Sequence, residues 1–368
     1  MKSPYLRLAK RYRNARRSYL LVNPLQAKHI PVAPSRAISM MEALGEAVKK
    51  KYPEAPLVIG FAETATAIGL AVAGVLGASY LQTTREAPNP EGEWILFQEE
   101  HSHAQEQKLC RKLPGKEWGT VILVDDEIST GKTIRNMVNQ LRRECPELAQ
   151  TKFVTASILY RLDEANQKLM EDMGIGSFYL ERLPEEDYEG EISSWQVEEP
   201  SPIRYGKKRE GELLISGIPS LNPRLGVKSG AYLEAWRDYA KKTANRLSPL
   251  LSPGERILAL GTEECMMPAL LLGRELEFQG FEVRSHSTTR SPIGVSKKEG
   301  YPIFFGQRLH SFYERDRLTY LYDLSPCDTV LLVSDAKSRI PEAMDSLRGI
   351  LEEKGYGRLI CIGGDGDV

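Results

Sequence analysis

Short apolar runs alternate with longer amphipathic segments along most of this chain. That pattern predicts parallel strands joined by crossover helices. The clearest run, Val121-Ile122-Leu123-Val124, is apolar at every position and rich in β-branched residues, as in a strand covered on both faces. Beyond it, Ile134, Met137, Val138 and Leu141 recur at helical spacing and predict one apolar helix face. A strand, a small-residue turn and a helix start are also predicted over Pro56 to Gly69, and again over Arg256 to Gly273. Further strands are expected within Asp328 to Arg339 and at Arg358 to Ile362.

The two halves echo each other. Thr83-Thr84-Arg85-Glu86 follows the first of these turns, and Thr288-Thr289-Arg290-Ser291 follows the second. Upstream, Asn23-Pro24-Leu25 is matched by Asn222-Pro223-Arg224-Leu225, and the spacings agree to within a few residues. A duplicated domain is therefore expected, with domains at 1–200 and 211–368. The boundary falls in the acidic, proline-rich stretch 184–210. That stretch reads as a linker, or alternatively as a hood offering Tyr188 or Trp195 as a stacking surface. Residues 86–115, with Pro88, Pro90, Gly92, Pro114 and Gly115, read as a long mobile insertion. The basic N-terminus reads as a solvated helix packing Tyr5, Leu8 and Tyr12.

Candidate chemistry centres on Val121 to Thr133, where the strand runs into Asp125 and Asp126 and then into Ser129-Thr130-Gly131-Lys132-Thr133. In open α/β sheets ligands bind beyond the carboxyl ends of strands, and free N–H groups at a helix start hold phosphate. Hydroxyls of Ser129, Thr130 and Thr133 can donate to phosphate oxygens, and Gly131 permits close backbone approach. Two carboxylates one turn away match the 2- and 3-hydroxyls of a ribose 5-phosphate. A P-loop would need glycine where Asp126 stands.

The segment resembles the phosphoribosyl pyrophosphate (PRPP) signature of type I phosphoribosyltransferases: a hydrophobic strand, an acidic pair, then T-G-x-T. With N-P-L-Q-A-K-H-I-P-V at 23–32, E-E-H-S-H-A at 99–104 and the tetrapeptide Thr289-Arg290-Ser291-Pro292, the chain resembles the phosphoribosyltransferase-like proteins of tellurium-resistance (ter) type operons, which carry a C-terminal TRSP domain. The resemblance implies two tandem Rossmann-like type I phosphoribosyltransferase folds. The second is expected to be degenerate, because Asp328 to Arg339 keeps Asp335 but lacks the acidic pair and T-G-x-T. It implies a Mg²⁺-dependent transfer of ribose 5-phosphate from PRPP to a base-like acceptor, with Asp125 and Asp126 catalytic and residues 129–133 on the 5-phosphate. Glu63, Thr64, Ala65, Thr66 and Arg85 would receive the diphosphate, with Mg²⁺ held mainly by substrate and water and by Glu63. His101 and His103 would act from a closing loop. In the second domain Glu263, Glu264, Arg290 and Ser291 lie at predicted strand ends and would line an acceptor or nucleotide pocket; alternatively the degenerate copy is a scaffold.

Composition bounds the rest. Lys plus Arg at 49 against Asp plus Glu at 50 gives no field to attract nucleic acid or membrane. No apolar stretch reaches membrane-span length. Five scattered cysteines without C-x-x-C spacing point to reduced thiols and a cytoplasmic setting. A second copy of the chain and products of neighbouring operon genes are candidate partners. The alternative functions are a non-catalytic PRPP or nucleotide sensor and a ribose-phosphate diphosphokinase-like enzyme.

Overall fold

The computed structural model describes residues 3–12, 18–87, 90, 92–97, 107–114, 118–184, 186, 188–337 and 340–363. The chain forms two compact units, neither continuous in sequence. The first comprises Ile38–Glu186 and Ser220–Ala235; the second comprises Met1–Ala37, Asp187–Pro219 and Trp236–Val368.

The first unit is built on a six-stranded sheet in the order Val227–Lys228, Ser79–Gln82, Leu57–Gly60, Thr120–Ile128, Lys152–Tyr160, Gly176–Arg182. All neighbours are parallel except the short Val227–Lys228 edge. The predicted helix is Lys132–Glu144, and it buries Ile134, Met137, Val138 and Leu141, the four positions that the spacing selected. Helix Thr66–Leu76 is apolar nearly all round and buried along most of its length, as a helix covered on all sides must be. Gly77 ends it in the left-handed conformation, φ 66°, with its N–H returned to the preceding turn.

The second unit has a five-stranded parallel sheet in the order Leu213–Ile215, Arg358–Ile362, Thr329–Val333, Arg256–Gly261, Glu282–Ser287. Helices Met267–Phe278 and Pro341–Lys354 supply much of its buried apolar surface.

The two sheets share a connectivity. Counting from Leu57–Gly60 in one and from Arg256–Gly261 in the other, the second strand and the third flank the first, and the fourth lies beyond the third. An antiparallel hairpin is inserted between second and third: Trp94–Phe97 with Gln107–Cys110, and Gly306–His310 with Leu318–Tyr322. The echoed threonines do matching work. Thr83 and Thr288 each donate N–H to the carbonyl of Gly60 and of Gly261, both at 3.0 Å, and Thr84 and Thr289 each bridge to the second hairpin strand. Asn23 and Asn222 each accept, through Oδ1, the N–H two residues on, at 2.9 and 3.0 Å.

Several expectations are corrected. The insertion at 86–115 holds a hairpin whose Ile95, Phe97, Leu109 and Cys110 are buried in the first core; its alternation is only four residues per strand, too short to stand out among the prolines. The N-terminus is a strand, Arg7–Lys10, paired antiparallel with Tyr19–Val22. Residues 188–202 are strapped to the second unit through Trp195 against Tyr301, with centroids 5.4 Å apart, and through bridges of Glu198 with Val295 and Ser201 with Gln307. Tyr188 is buried against Tyr19 and so presents no stacking face. The compact units also differ from a single cut near 200–211, because residues 1–37 complete the second unit and 220–235 the first. Val227–Lys228 edges strand Ser79–Gln82, and Val32 bridges in the same antiparallel sense to Ser285 of strand Glu282–Ser287. The edging segments thus lie upstream of Arg256–Gly261 and of Leu57–Gly60 respectively.

Candidate active site

In the first unit the connections leave in opposite directions from the paired strands Leu57–Gly60 and Thr120–Ile128, which makes this the switch point where open α/β sheets form their ligand crevice. Leu57–Gly60 stops at Gly60, opposite Val124, while the other strand continues to Ile128 paired only with Lys152–Tyr160. Asp125, Asp126 and Glu127 therefore stand in an overhang, half-buried, within the strand rather than beyond its end as the sequence suggested.

Asp126 Oδ1 accepts a hydrogen bond from Thr64 Oγ1 at 2.9 Å, and Asp125 Oδ1 accepts from the N–H of Asp126 at 2.9 Å. Burial pushes the Asp125 carboxyl well above the ordinary range, and the charges of Asp126 and Glu127 add to the shift. Glu127 is matched by Arg161, with Oε1 to Nε at 2.7 Å. Crowding of like charges at Asp125 and Asp126 favours the arrival of positive charge.

Beyond the acids, Gly131 has φ 63°, and a Cβ there would meet Met170 Sδ at 3.1 Å. Only glycine fits both the backbone and the space. The helix it opens begins without a side-chain cap bond, apart from the N–H of Lys132 at 3.4 Å from Thr130 Oγ1. Ser129 and Lys132 are half-buried, and Thr130 and Thr133 are exposed. The helix therefore starts with backbone N–H groups not capped by a side chain at full strength and with hydroxyls around them.

The loop after Gly60 carries Glu63, Thr64, Ala65 and Thr66 and includes a cis Ala62–Glu63 peptide. It is held by Ala62 N–H to Thr83 Oγ1 at 2.8 Å, Thr66 Oγ1 to Glu63 O at 3.3 Å, and Tyr80 Oη to Thr66 O at 2.7 Å. Glycine at 60 is required by close approach, since a Cβ there would meet Tyr80 Oη at 2.6 Å. Thr64 joins the loop directly to Asp126. The Thr83 bonds tie the same loop to the segment bearing Arg85, which stands two residues further on and is half-buried. His101 and His103 lie outside the described residues.

In the second unit Glu263, Glu264 and Arg290 come together, but as a buried ion-pair knot rather than an open pocket. Glu263 is fully buried with φ 46°; its carboxylate meets Arg317 at 2.8 Å, Arg290 at 3.1 Å and Ser311 Oγ at 2.6 Å. Arg290 also reaches Glu264 at 3.7 Å, while Ser291 takes no part in these pairs and donates its N–H to Thr289 Oγ1. Lys28, which sequence reasoning assigned to the N-terminal half, is fully buried here and donates to the carbonyls of Glu263 and Thr288 at 2.8 and 2.9 Å. Sequence reasoning named Thr64 for the loop but not its bond to Asp126, and it missed the Glu127–Arg161 pair and Arg317. Nothing in local pattern marks them, because each acts through a partner distant in sequence.

Residues 5–176 match the family model described as phosphoribosyl transferase, and residues 222–351 match that of the TRSP domain C-terminal to it. Among solved structures the chain is similar to adenine phosphoribosyltransferase from Rhodothermus marinus (15% identity, TM-score 0.35, covering 49% of this chain and 94% of that one). It is similar also to the Giardia lamblia enzyme complexed with 9-deazaadenine (17%, 0.35, 49% and 94%), and to orotate phosphoribosyltransferase from Aeropyrum pernix (19%, 0.27, 40% and 72%). No curated protein matches. Among the described residues no helix is long and apolar enough to cross a membrane. With both family models in order along it, the chain belongs to the phosphoribosyltransferase family whose members carry a C-terminal TRSP domain.

Proposed function

We propose that the first unit transfers the 5-phosphoribosyl group of PRPP to a nitrogen of a base-like acceptor and releases diphosphate, in a cytoplasmic pathway associated with stress or tellurium resistance. The observation that carries this reading is the 2.9 Å bond from Thr64 to Asp126, which couples the loop suited to diphosphate with the acids suited to ribose. Residues 129–133 take the 5-phosphate. Asp125 and Asp126 accept the 2- and 3-hydroxyls, and backbone N–H groups of 63–66, with Arg85, receive the diphosphate.

Bond breaking at the anomeric carbon runs ahead of bond making, so positive charge builds on the ribose. Carboxylates already crowded at Asp125 and Asp126 interact more strongly with that state than with neutral substrate. Among the described residues no group of three or more His, Cys, Asp or Glu is placed to hold a metal ion. The all-oxygen donors at hand, chiefly Glu63 and the acidic pair, fit a Mg²⁺ held mostly by substrate oxygens and water. When bound, that ion neutralises the leaving diphosphate. A cytoplasmic setting is supported by the cysteines, all five of which are free. A second copy of the chain and products of neighbouring genes are the partners to seek.

The test is calorimetric titration of PRPP with Mg²⁺ into the wild type and an Asp125→Asn/Asp126→Asn variant, followed by diphosphate release across a panel of bases. Saturable binding weakened by the variant, with release only when acceptor is present, supports transfer. Binding without turnover against any base favours a sensor. Diphosphoryl transfer from labelled ATP favours a diphosphokinase.

A further inference from the structure

The second unit has its own switch point. Strand Arg256–Gly261 is flanked by Glu282–Ser287 on one side and Thr329–Val333 on the other, so the crevice rule places a ligand beyond Gly261 and Val333. The register there repeats that of the first unit: Gly261 pairs with Val333 as Gly60 pairs with Val124. Ser334 and Asp335 therefore fall at the positions of Asp125 and Asp126. Helix Pro341–Lys354 starts as far past Val333 as helix Lys132–Glu144 starts past Val124.

Four polar side chains converge at that point. Tyr313 Oη donates to Asp335 Oδ1 at 2.5 Å and lies 2.8 Å from Thr262 Oγ1, which donates to Ser334 Oγ at 3.1 Å. Ser334, Asp335 and Tyr313 are half-buried. They form a rim of one carboxylate and two hydroxyls above the fully buried Thr262 hydroxyl, which is a donor and acceptor set for vicinal hydroxyls.

Charge and loop chemistry narrow the ligand. Where the first unit has the neutral Ala62 at its loop, the second has Glu263: Ala62 and Glu263 each donate N–H to the matched Thr83 and Thr288. That carboxylate already engages Arg290 and Arg317, so the loop is unsuited to diphosphate. No T-G-x-T follows Asp335; Ala336-Lys337-Ser338-Arg339 stands in its place, so the glycine-and-hydroxyl signature of the 5-phosphate loop is absent.

We propose that the crevice rimmed by Tyr313, Ser334 and Asp335, with Thr262 buried beneath them, is a second ligand site, which takes the ribose of an uncharged ribosyl compound, a nucleoside, and not PRPP. This rests on reading Asp125 and Asp126 as a ribose clamp. The second unit is thereby a duplicate that has lost transfer chemistry and kept sugar recognition.

The test uses full-length protein carrying Asp125→Asn/Asp126→Asn, titrated with adenosine and with 2′,3′-dideoxyadenosine. Adenosine should bind, and the dideoxy compound should bind at least about tenfold more weakly, the effect of losing charge-assisted hydrogen bonds. Adding Asp335→Asn should weaken adenosine by about tenfold or more, and Tyr313→Phe should weaken it to a smaller extent. Both variants change half-buried rim residues, and thermal melting checks their fold. If adenosine does not bind, if both nucleosides bind alike, or if folded Asp335→Asn and Tyr313→Phe proteins bind as before, the inference is overturned. PRPP binding to the wild type is a separate arm: its loss in the Asp125→Asn/Asp126→Asn protein tests the first site, while the second site stands or falls on adenosine alone.

Discussion

Replacing Gly60 by alanine probes the packing that holds the loop proposed to receive diphosphate. The added Cβ would stand 2.6 Å from Tyr80 Oη, 3.1 Å from Ala65 O and 3.2 Å from Tyr80 Cε2. Ordinary carbon contacts need about 3.5 Å, so helix Thr66–Leu76 or the Tyr80 ring must shift by roughly 0.5 to 1 Å. Overpacking of this kind costs about 1–3 kcal/mol. Tyr80→Phe alone loses the bond to Thr66 O, about 1 kcal/mol. In the double variant the worst contact is gone, so its loss should fall short of the sum by about 1 kcal/mol. Urea unfolding followed by Trp94 and Trp118, in a Trp195→Phe/Trp236→Phe background, reports on the first unit alone. Turnover should fall on the order of tenfold to a hundredfold in Gly60→Ala, since a displacement near 1 Å at a reacting group has that effect, and should recover in part in the double variant. Strict additivity, or a Gly60→Ala protein with unchanged stability and turnover, would refute the claim that glycine is there to let Tyr80 lock the loop.

Four further outcomes are expected. Thr64→Val removes the bond to Asp126 without changing volume, and should lower kcat about fivefold to tenfold, the worth of about 1 kcal/mol, with a smaller effect on PRPP affinity; equal losses in both would count against a role in positioning Asp126. Gly131→Ala forces a side chain into φ 63° and against Met170, so it should cost about 1–2 kcal/mol and raise the KM for PRPP, both read from denaturation and steady-state kinetics. His286 is buried in the second unit, and burial holds its pKa down at about 4. The unfolded chain, near 6.5, therefore takes up the proton first, and stability is full above pH 6.5 and is lost as pH falls toward 4, by up to ~3 kcal/mol. A His286→Gln protein whose unfolding free energy keeps the same slope over that window would contradict this. Finally, fragments 1–200 and 211–368 expressed separately should each lack the segment that edges one of the sheets, and hydrogen exchange should show both less protected than in the whole chain.

Much of the first site was legible locally. A strand covered on both faces must be apolar at every position, a helix on a sheet must be apolar at 3.6-residue spacing, and phosphate at a helix start calls for small and hydroxylated residues; Val121 to Leu141 meets all three demands within one short segment. The pairing of Thr83-Thr84 with Thr288-Thr289 was also visible, and the matched hydrogen bonds to Gly60 and Gly261 give it a physical meaning.

Tertiary structure decided what depends on partners far apart in sequence. It fixed where the neighbouring strand ends, and so set Asp125 to Glu127 in an overhang. It closed the Glu263 knot with Arg317 and buried Lys28 against it, turning an expected pocket into a salt-bridged core. It also assigned residues 1–37 and 220–235 to the units that they complete. Strand and helix periodicity report only which face of an element is covered, while edge pairing and buried charge are settled by which segment arrives to cover it.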